Sequence, residues 1–173
     1  MRSPDELCAM FDRLGLVYER HRHAPVHTCE EAESAIQAGD AVQTKNLFLR
    51  DKRGRRHFLL VTTCAKAVDV KRFADTAGAD HLSFGSPDRL MRHLGVEPGS
   101  VTVFGLVNDE SHVVELFVDR DVWNVERWRS HPLINSETIV MGRGDVERFL
   151  EQTGHTPRVV SVETRPLGPL TGL

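Results

Sequence analysis

The stretch Thr44-Lys45-Asn46-Leu47-Phe48-Leu49-Arg50, the four residues Asp51-Lys52-Arg53-Gly54, and the run His57-Phe58-Leu59-Leu60-Val61-Thr62-Thr63-Cys64 form the clearest local signal in the chain. Two apolar runs rich in strand-forming residues flank a segment with Asp first and Gly fourth, the composition of a type I turn, so a hairpin is predicted. Side chains alternate along a strand, which places Lys45, Leu47 and Leu49 on one face. An ammonium then stands at the end of an apolar row, where a charge costs energy unless it is paired, reaches water or faces a pocket. Lys45 is therefore the first functional candidate. A strand-end lysine that snorkels to water is the plain alternative.

On the N-terminal side of the hairpin, Pro4 to Leu14 reads as a helix capped by Ser3, with Leu7, Met10, Phe11 and Leu14 on one face and Gly15 as its stop. Leu16 to His21 reads as a short strand. Thr28 and Glu31 form a capping-box pattern for a helix to about Ala38, ended by Gly39-Asp40. On the C-terminal side, helices are predicted over Asp69–Ala77, Pro87–Leu94 and Asp145–Gln152. Strands are predicted at His81–Phe84, Glu137–Met141 and Arg158–Val162. Val101–Leu106 and His112–Val118 read as a second strand pair turning at Asn108-Asp109-Glu110, and Asp119–Asn135 as a loop-rich stretch. Hairpins interspersed with helices imply a mixed α/β (α+β) fold, a mixed sheet or partly open barrel with helices packed outside it.

The length, 173 residues, suits one domain. No run nears the roughly 18 apolar residues of a membrane span, and no apolar signal core follows Met1, so a cytoplasmic protein is expected. Cys8, Cys29 and Cys64 have no paired spacing, which argues against a disulfide framework and a zinc ribbon. His21, His23 and His27 lack a completing carboxylate or cysteine, and no metal is expected. No glycine-rich phosphate loop opens a helix, and no Gly-x-Ser-x-Gly elbow is present, so nucleotide chemistry and serine or cysteine catalysis have little support. The net charge of −3 excludes an obvious binder of long nucleic acid, DNA included. Arg50, Lys52, Arg53, Arg55 and Arg56 nevertheless form a local basic cluster, either a solvated hairpin tip or a contact for an RNA end.

Two further segments could carry chemistry. Glycines and a proline in Gly95-Val96-Glu97-Pro98-Gly99-Ser100-Val101-Thr102-Val103-Phe104-Gly105-Leu106 would let backbone amides approach a ligand and hold an oxyanion, or serve only as a helix stop and turn. His131, held extended by Pro132, could orient a substrate or water, or be structural. Trp123 and Trp128 could stack on bases or pack at the core's edge.

Together, Thr44-Lys45-Asn46-Leu47-Phe48-Leu49, Pro98-Gly99-Ser100-Val101 running into Phe104-Gly105-Leu106, and His131-Pro132 resemble the aminoacyl-tRNA deacylases related to the editing domain of bacterial prolyl-tRNA synthetase. Nearly the whole chain is covered. The Trp123–Asn135 stretch looks most like free-standing editing proteins that remove alanine from mischarged tRNA-Pro. The resemblance implies a barrel-like editing domain over residues 1–165 with a tail at 166–173. It implies ester hydrolysis without a cofactor, the acceptor end of tRNA-Pro as partner, and prolyl-tRNA synthetase as a further candidate partner. Lys45 would take the family's essential lysine position, at the terminal phosphate or the ester end. Gly99, Ser100, Val101 and Thr102 would form the catalytic loop. Val103 stands where the family's Gly-x-x-x-Pro has proline. Asn46, Val103, Phe104 and His131 would line the substrate site, and Arg50, Arg53, Arg55 and Arg56 would face the tRNA. A Cys-tRNA-Pro deacylase, a deacylase for another small aminoacyl group and a non-catalytic binding module remain open.

Overall fold

The computed structural model describes residues 1–165; the tail expected at 166–173 lies outside them. The hairpin forms as expected, from β2 (Val42–Asp51) and β3 (His57–Thr63), with Lys45 opposite Thr62 and Leu49 opposite Phe58. Gly54 closes the turn onto the Asp51 carbonyl at φ +65°, a conformation that favours glycine. The Asp51 carboxylate accepts from the N–H groups of Arg55 and Arg56.

β3 lies in the middle of a mixed eight-stranded sheet and is covered on both faces. Phe58 and Leu60 point to one side with Phe73, Ala74 and Ala77 of α3 (Val70–Ala77). Leu59 and Val61 point to the other, where they join the larger core. That core gathers Leu7 and Phe11 of α1 (Pro4–Arg13), Leu90 and Leu94 of α4 (Pro87–Leu94), and Phe149 of α6 (Arg143–Gln152). Phe11, Phe104 and Phe149 meet edge to face there. Ser3, Asp69 and Ser86 cap α1, α3 and α4 with their side chains.

β2 also pairs with β4 (Leu82–Phe84) and β6 (Arg127–Ser130), and β6 leads through β7 (Glu137–Gly142) to β1 (Tyr18–Arg22). On the other side β3 pairs in parallel with β5 (Val114–Asp119), and β5 with β8 (Arg158–Val160). β1 and β8 end the path, so the sheet is mixed and partly open, with helices around it.

Three expectations are corrected. The second strand pair is absent: Val103–Asn108 is a 3₁₀ helix, and β5 pairs with β3 and β8 instead. Five consecutive buried residues, Val103 to Val107, explain the strand-like look of that segment. Gly105 packs there so closely that a Cβ would sit 3.0 Å from Leu94 Cβ. The stretch expected as loop after Asp119 contains α5 (Arg120–Trp123) and β6, which pairs with β7 just after it in sequence and with β2 far before it. The helix expected to reach Ala38 is shorter, α2 (Cys29–Ala35), because Ile36 turns extended and Ala38 and Ala41 tuck against Val140.

The cysteine expectation is corrected too. Cys29 and Cys64 are joined by a disulfide with their Cα atoms 5.6 Å apart. Their sequence separation of 35 residues hides a proximity that arises only when α2 folds against the end of β3. Cys8 is free and buried, and burial raises its thiol pKa. Trp128 is buried and meets Trp123 edge to face, which assigns both to packing.

Candidate active site

Val42–Asn46 of β2 runs between β3 and β6, and at this end of the strand the sheet opens into a cavity of about 240 Å³. Gln43, Thr44, Lys45 and Asn46 form its floor. Val26, His27, Thr28, Cys29 and Ala32 form one wall, and Gly99, Val101 and His131 line the rest with Cys64. Five of the residues selected from the sequence therefore meet here: Lys45, Asn46, Gly99, Val101 and His131.

Lys45 is half-buried, and burial pulls its ammonium below the usual lysine pKa. Its Nζ donates to the Cys64 carbonyl at 3.3 Å and to the Lys66 carbonyl. An ammonium has three N–H donors, so one is left for a ligand. Lys66 is itself fixed by the fully buried Asp119, at 2.7 Å, and by Asp121, at 2.8 Å.

The loop leading into Val103–Asn108 turns at Gly99, whose φ of +89° suits glycine. The Ser100 N–H donates to the Glu97 carbonyl, and that of Phe104 to the Thr102 hydroxyl. Among the described residues, the N–H groups of Gly99, Val101 and Thr102 have no acceptor within the protein. Ser100, Thr102, Val103 and Phe104 are buried, and their side chains do not line the cavity. Val103, at the expected proline position, is the first residue of the 3₁₀ helix.

His131 Nδ1 lies 2.9 Å from the Glu137 carbonyl, which can only accept, so Nδ1 carries the proton and Nε2 keeps its lone pair. Burial holds this imidazole below its ordinary pKa, which favours the neutral form. The loop that carries it contains Leu133 at φ +70°, an uncommon conformation for a branched residue. Asn135 ties the loop to the α2 side by donating to the Val26 carbonyl at 3.0 Å.

The four arginines expected to face tRNA lie toward the other end of β2. Arg50 lies five strand steps beyond Lys45, roughly 17 Å along the strand. Arg50 donates to the carbonyls of its own turn, and Arg56 forks onto Glu115 at 2.7 and 2.9 Å. Arg53 and Arg55 are exposed. The α2 wall of the cavity was not selected from the sequence. The Thr28–Glu31 capping box announced the helix, but no local signal sets it beside β2.

Residues 23–149 match the family model described as the aminoacyl-tRNA editing domain. The chain belongs to the aminoacyl-tRNA editing family. It is 36% identical to a prolyl-tRNA editing protein, ProX, of Acetoanaerobium sticklandii, over 94% of this chain and 99% of that one. It is 32% identical to the prolyl-tRNA synthetase associated domain-containing protein 1 of Danio rerio, over 91% and 86%. A solved structure described as a trans-editing enzyme for prolyl tRNA synthetase superposes with a TM-score of 0.72 at 15% identity, over 95% of this chain and 99% of that one, which shows the shared fold. Membership in the editing family makes the chain an aminoacyl-tRNA hydrolase by class. Among the described residues, no helix is long and apolar enough to cross a membrane.

Proposed function

We propose that the chain acts in trans, in the cytoplasm, on alanine mis-attached to tRNA-Pro, hydrolysing the ester at the acceptor end. The observation that carries this reading is the convergence of Lys45, Asn46, Gly99, Val101 and His131 around one small cavity. The prolyl-tRNA editing protein at 36% identity supports prolyl-tRNA as the substrate class. A synthetic site shaped for proline rejects smaller alanine only by lost contacts, about 1–3 kcal/mol per methylene, so a second, smaller pocket gives the missing discrimination.

An aminoacyl ester is already activated, so hydrolysis needs a placed water and a stabilised oxyanion more than a strong base. The water oxygen attacks the ester carbonyl carbon, and the negative oxygen that forms is met by the unpartnered N–H groups of the Gly99–Thr102 loop. The carbon–oxygen bond to the ribose then breaks, and the ribose oxygen takes the proton. A ribose hydroxyl of the substrate relays the water's proton in this scheme. Neutral His131 accepts from the aminoacyl ammonium through Nε2. Lys45 brings its remaining N–H and its charge to the ester end or the terminal phosphate. Exposed Arg53 and Arg55 extend the tRNA contact, with Arg50 and Arg56 beside them.

The test is hydrolysis of alanyl-, cysteinyl- and prolyl-tRNA-Pro by the wild type and Lys45→Ala. Turnover of the alanyl ester alone, lost in the variant, supports the reading. A fall in kcat alone assigns Lys45 to the ester, and a rise in KM assigns it to the phosphate. Preference for cysteine changes the substrate, and tRNA binding without turnover overturns catalysis. Unchanged salt dependence on replacing Arg53, Arg55 and Arg56 by Ala removes the basic patch from the contact.

A further inference from the structure

The disulfide lies on the rim of the cavity, and its two ends belong to different walls. Cys29 is the first residue of α2, while Cys64 follows β3 and holds Lys45 through its carbonyl. Both residues are only partly buried, so small thiols and disulfides can reach them, whereas Cys8 is buried away from them.

The α2 wall is otherwise lightly held. Ala32 is its one buried residue, and its apolar support beyond the helix is the small group of Ile36, Ala38, Ala41 and Val140. Two bonds between Asn135 and Val26 fix the chain before the helix, the Asn135 side chain donating to the Val26 carbonyl and the Val26 N–H to the Asn135 carbonyl, while only a long 3.5 Å contact from Arg129 reaches Ile36 after it. Short elements with few buried apolar contacts occupy the low-stability end of a protein and open locally. A covalent tie at the first residue of α2 removes much of that freedom.

We propose that Cys29 and Cys64 are a redox-active pair that locks the α2 wall onto the Lys45 side of the cavity when oxidised and releases it when reduced. Exchange with a low-molecular-weight disulfide such as glutathione disulfide balances the step. The thiolate of one cysteine attacks a glutathione sulfur and expels one glutathione thiolate. The other cysteine then attacks the mixed disulfide and expels the second, so two protein thiols are oxidised and one disulfide becomes two thiols. A dithiol reverses it. In a reducing compartment such a pair stands open and closes on oxidative exposure. The consequence for selection rests on the reading of this cavity as the aminoacyl site: a locked wall excludes a bulkier side chain, and a free wall yields to it.

The experiment uses the full chain after glutathione disulfide or dithiothreitol treatment, with the disulfide verified by mass after alkylation. Two readouts are taken: hydrogen exchange of the α2 amides, and the ratio of kcat/KM for alanyl- over prolyl-tRNA-Pro. Reduction is expected to speed α2 exchange and to lower the ratio by about tenfold, roughly one pocket contact. Cys29→Ser and Cys64→Ala are expected to match the reduced wild type whatever the oxidant. If either variant fails to fold, the reduced wild type carries the comparison alone. Equal α2 exchange in the two redox states, or no disulfide after oxidation, overturns the proposal. Redox-dependent exchange with no ester hydrolysed in either state upholds the lock and overturns the substrate reading instead. Redox-dependent exchange with an unchanged ratio overturns the role in selection.

Discussion

Thr44 Oγ1 lies 2.7 Å from Ser130 Oγ and donates its proton to the Arg129 carbonyl at 2.9 Å. Because the threonine proton is committed, Ser130 must be the donor to Thr44. This buried pair crosses the parallel contact of β2 with β6, and so links the strand bearing Lys45 to the residue before His131. The two halves of the site are joined at this point rather than through a ligand.

Replacing Thr44 by Val keeps the shape but strands the Ser130 hydroxyl without an acceptor and leaves the Arg129 carbonyl only the long 3.4 Å side-chain bond from Gln43 Nε2. The expected loss of stability is about 1–3 kcal/mol, read by urea unfolding. Ser130→Ala removes a donor and leaves the Thr44 proton paired, so it is expected to cost less. The order of the two variants is the decisive comparison.

Gly99 sits at φ +89°, and a Cβ there would come no nearer than 4.0 Å to Asn135. The effect of Gly99→Ala is therefore one of backbone conformation, not of crowding. The loop must relax, carrying its N–H groups away from the ester carbonyl that the proposed mechanism sets against them. A fall in kcat of about tenfold or more, with KM little changed, is expected from steady-state deacylation.

Arg89 Nη1 lies 2.7 Å from His57 Nε2, and a guanidinium can only donate, so His57 is neutral and accepts. Burial first, and then the neighbouring His93 and Arg89, push the His57 pKa down to about 4. The unfolded chain binds this proton near the ordinary imidazole value of about 6.5. Over that window the unfolded state holds more protons, so stability is full above about pH 6.5 and falls as the pH drops toward 4. The slope from this group is at most about 1.4 kcal/mol per pH unit. Denaturation midpoints of wild type and His57→Phe across this range test it, the variant giving the flatter profile.

The disulfide closes a loop across a separation of 35 residues. On the chain-entropy model, reduction costs about 3–4 kcal/mol of stability. Urea unfolding with and without dithiothreitol measures this, and Cys29→Ser is expected to be insensitive to the reductant.

The elements that the sequence announced are those whose stabilising contacts lie within a few residues. α4 spans Pro87–Leu94 as read, because Ser86, Pro87, the apolar spacing of Leu90 and Leu94, and Gly95 at φ +65° are neighbours along the chain. The hairpin was legible for the same reason: its turn composition and both strands fall within one window. Lys45 could be selected because its strand face follows from period two. Its carbonyl anchors could not, since Cys64 and Lys66 meet it only after the hairpin closes.

What the sequence by itself determined was thus the local periodicity, the caps and turns, and the candidacy of Lys45, Gly99 and His131. Tertiary structure alone decided the rest. Val103–Asn108 is apolar throughout, and such a run suits a buried strand or a buried helix alike until Leu94 packs on Gly105. β6 is four residues long and becomes a strand by borrowing hydrogen bonds from β2 and β7. Cys29 and Cys64 meet because α2 folds against the end of β3. The physical reason is common to all three: the contacts of Gly105 with Leu94, of β6 with β2 and of Cys29 with Cys64 form only when separate elements pack together, and no local pattern carries the free energy of a contact that forms only on collapse.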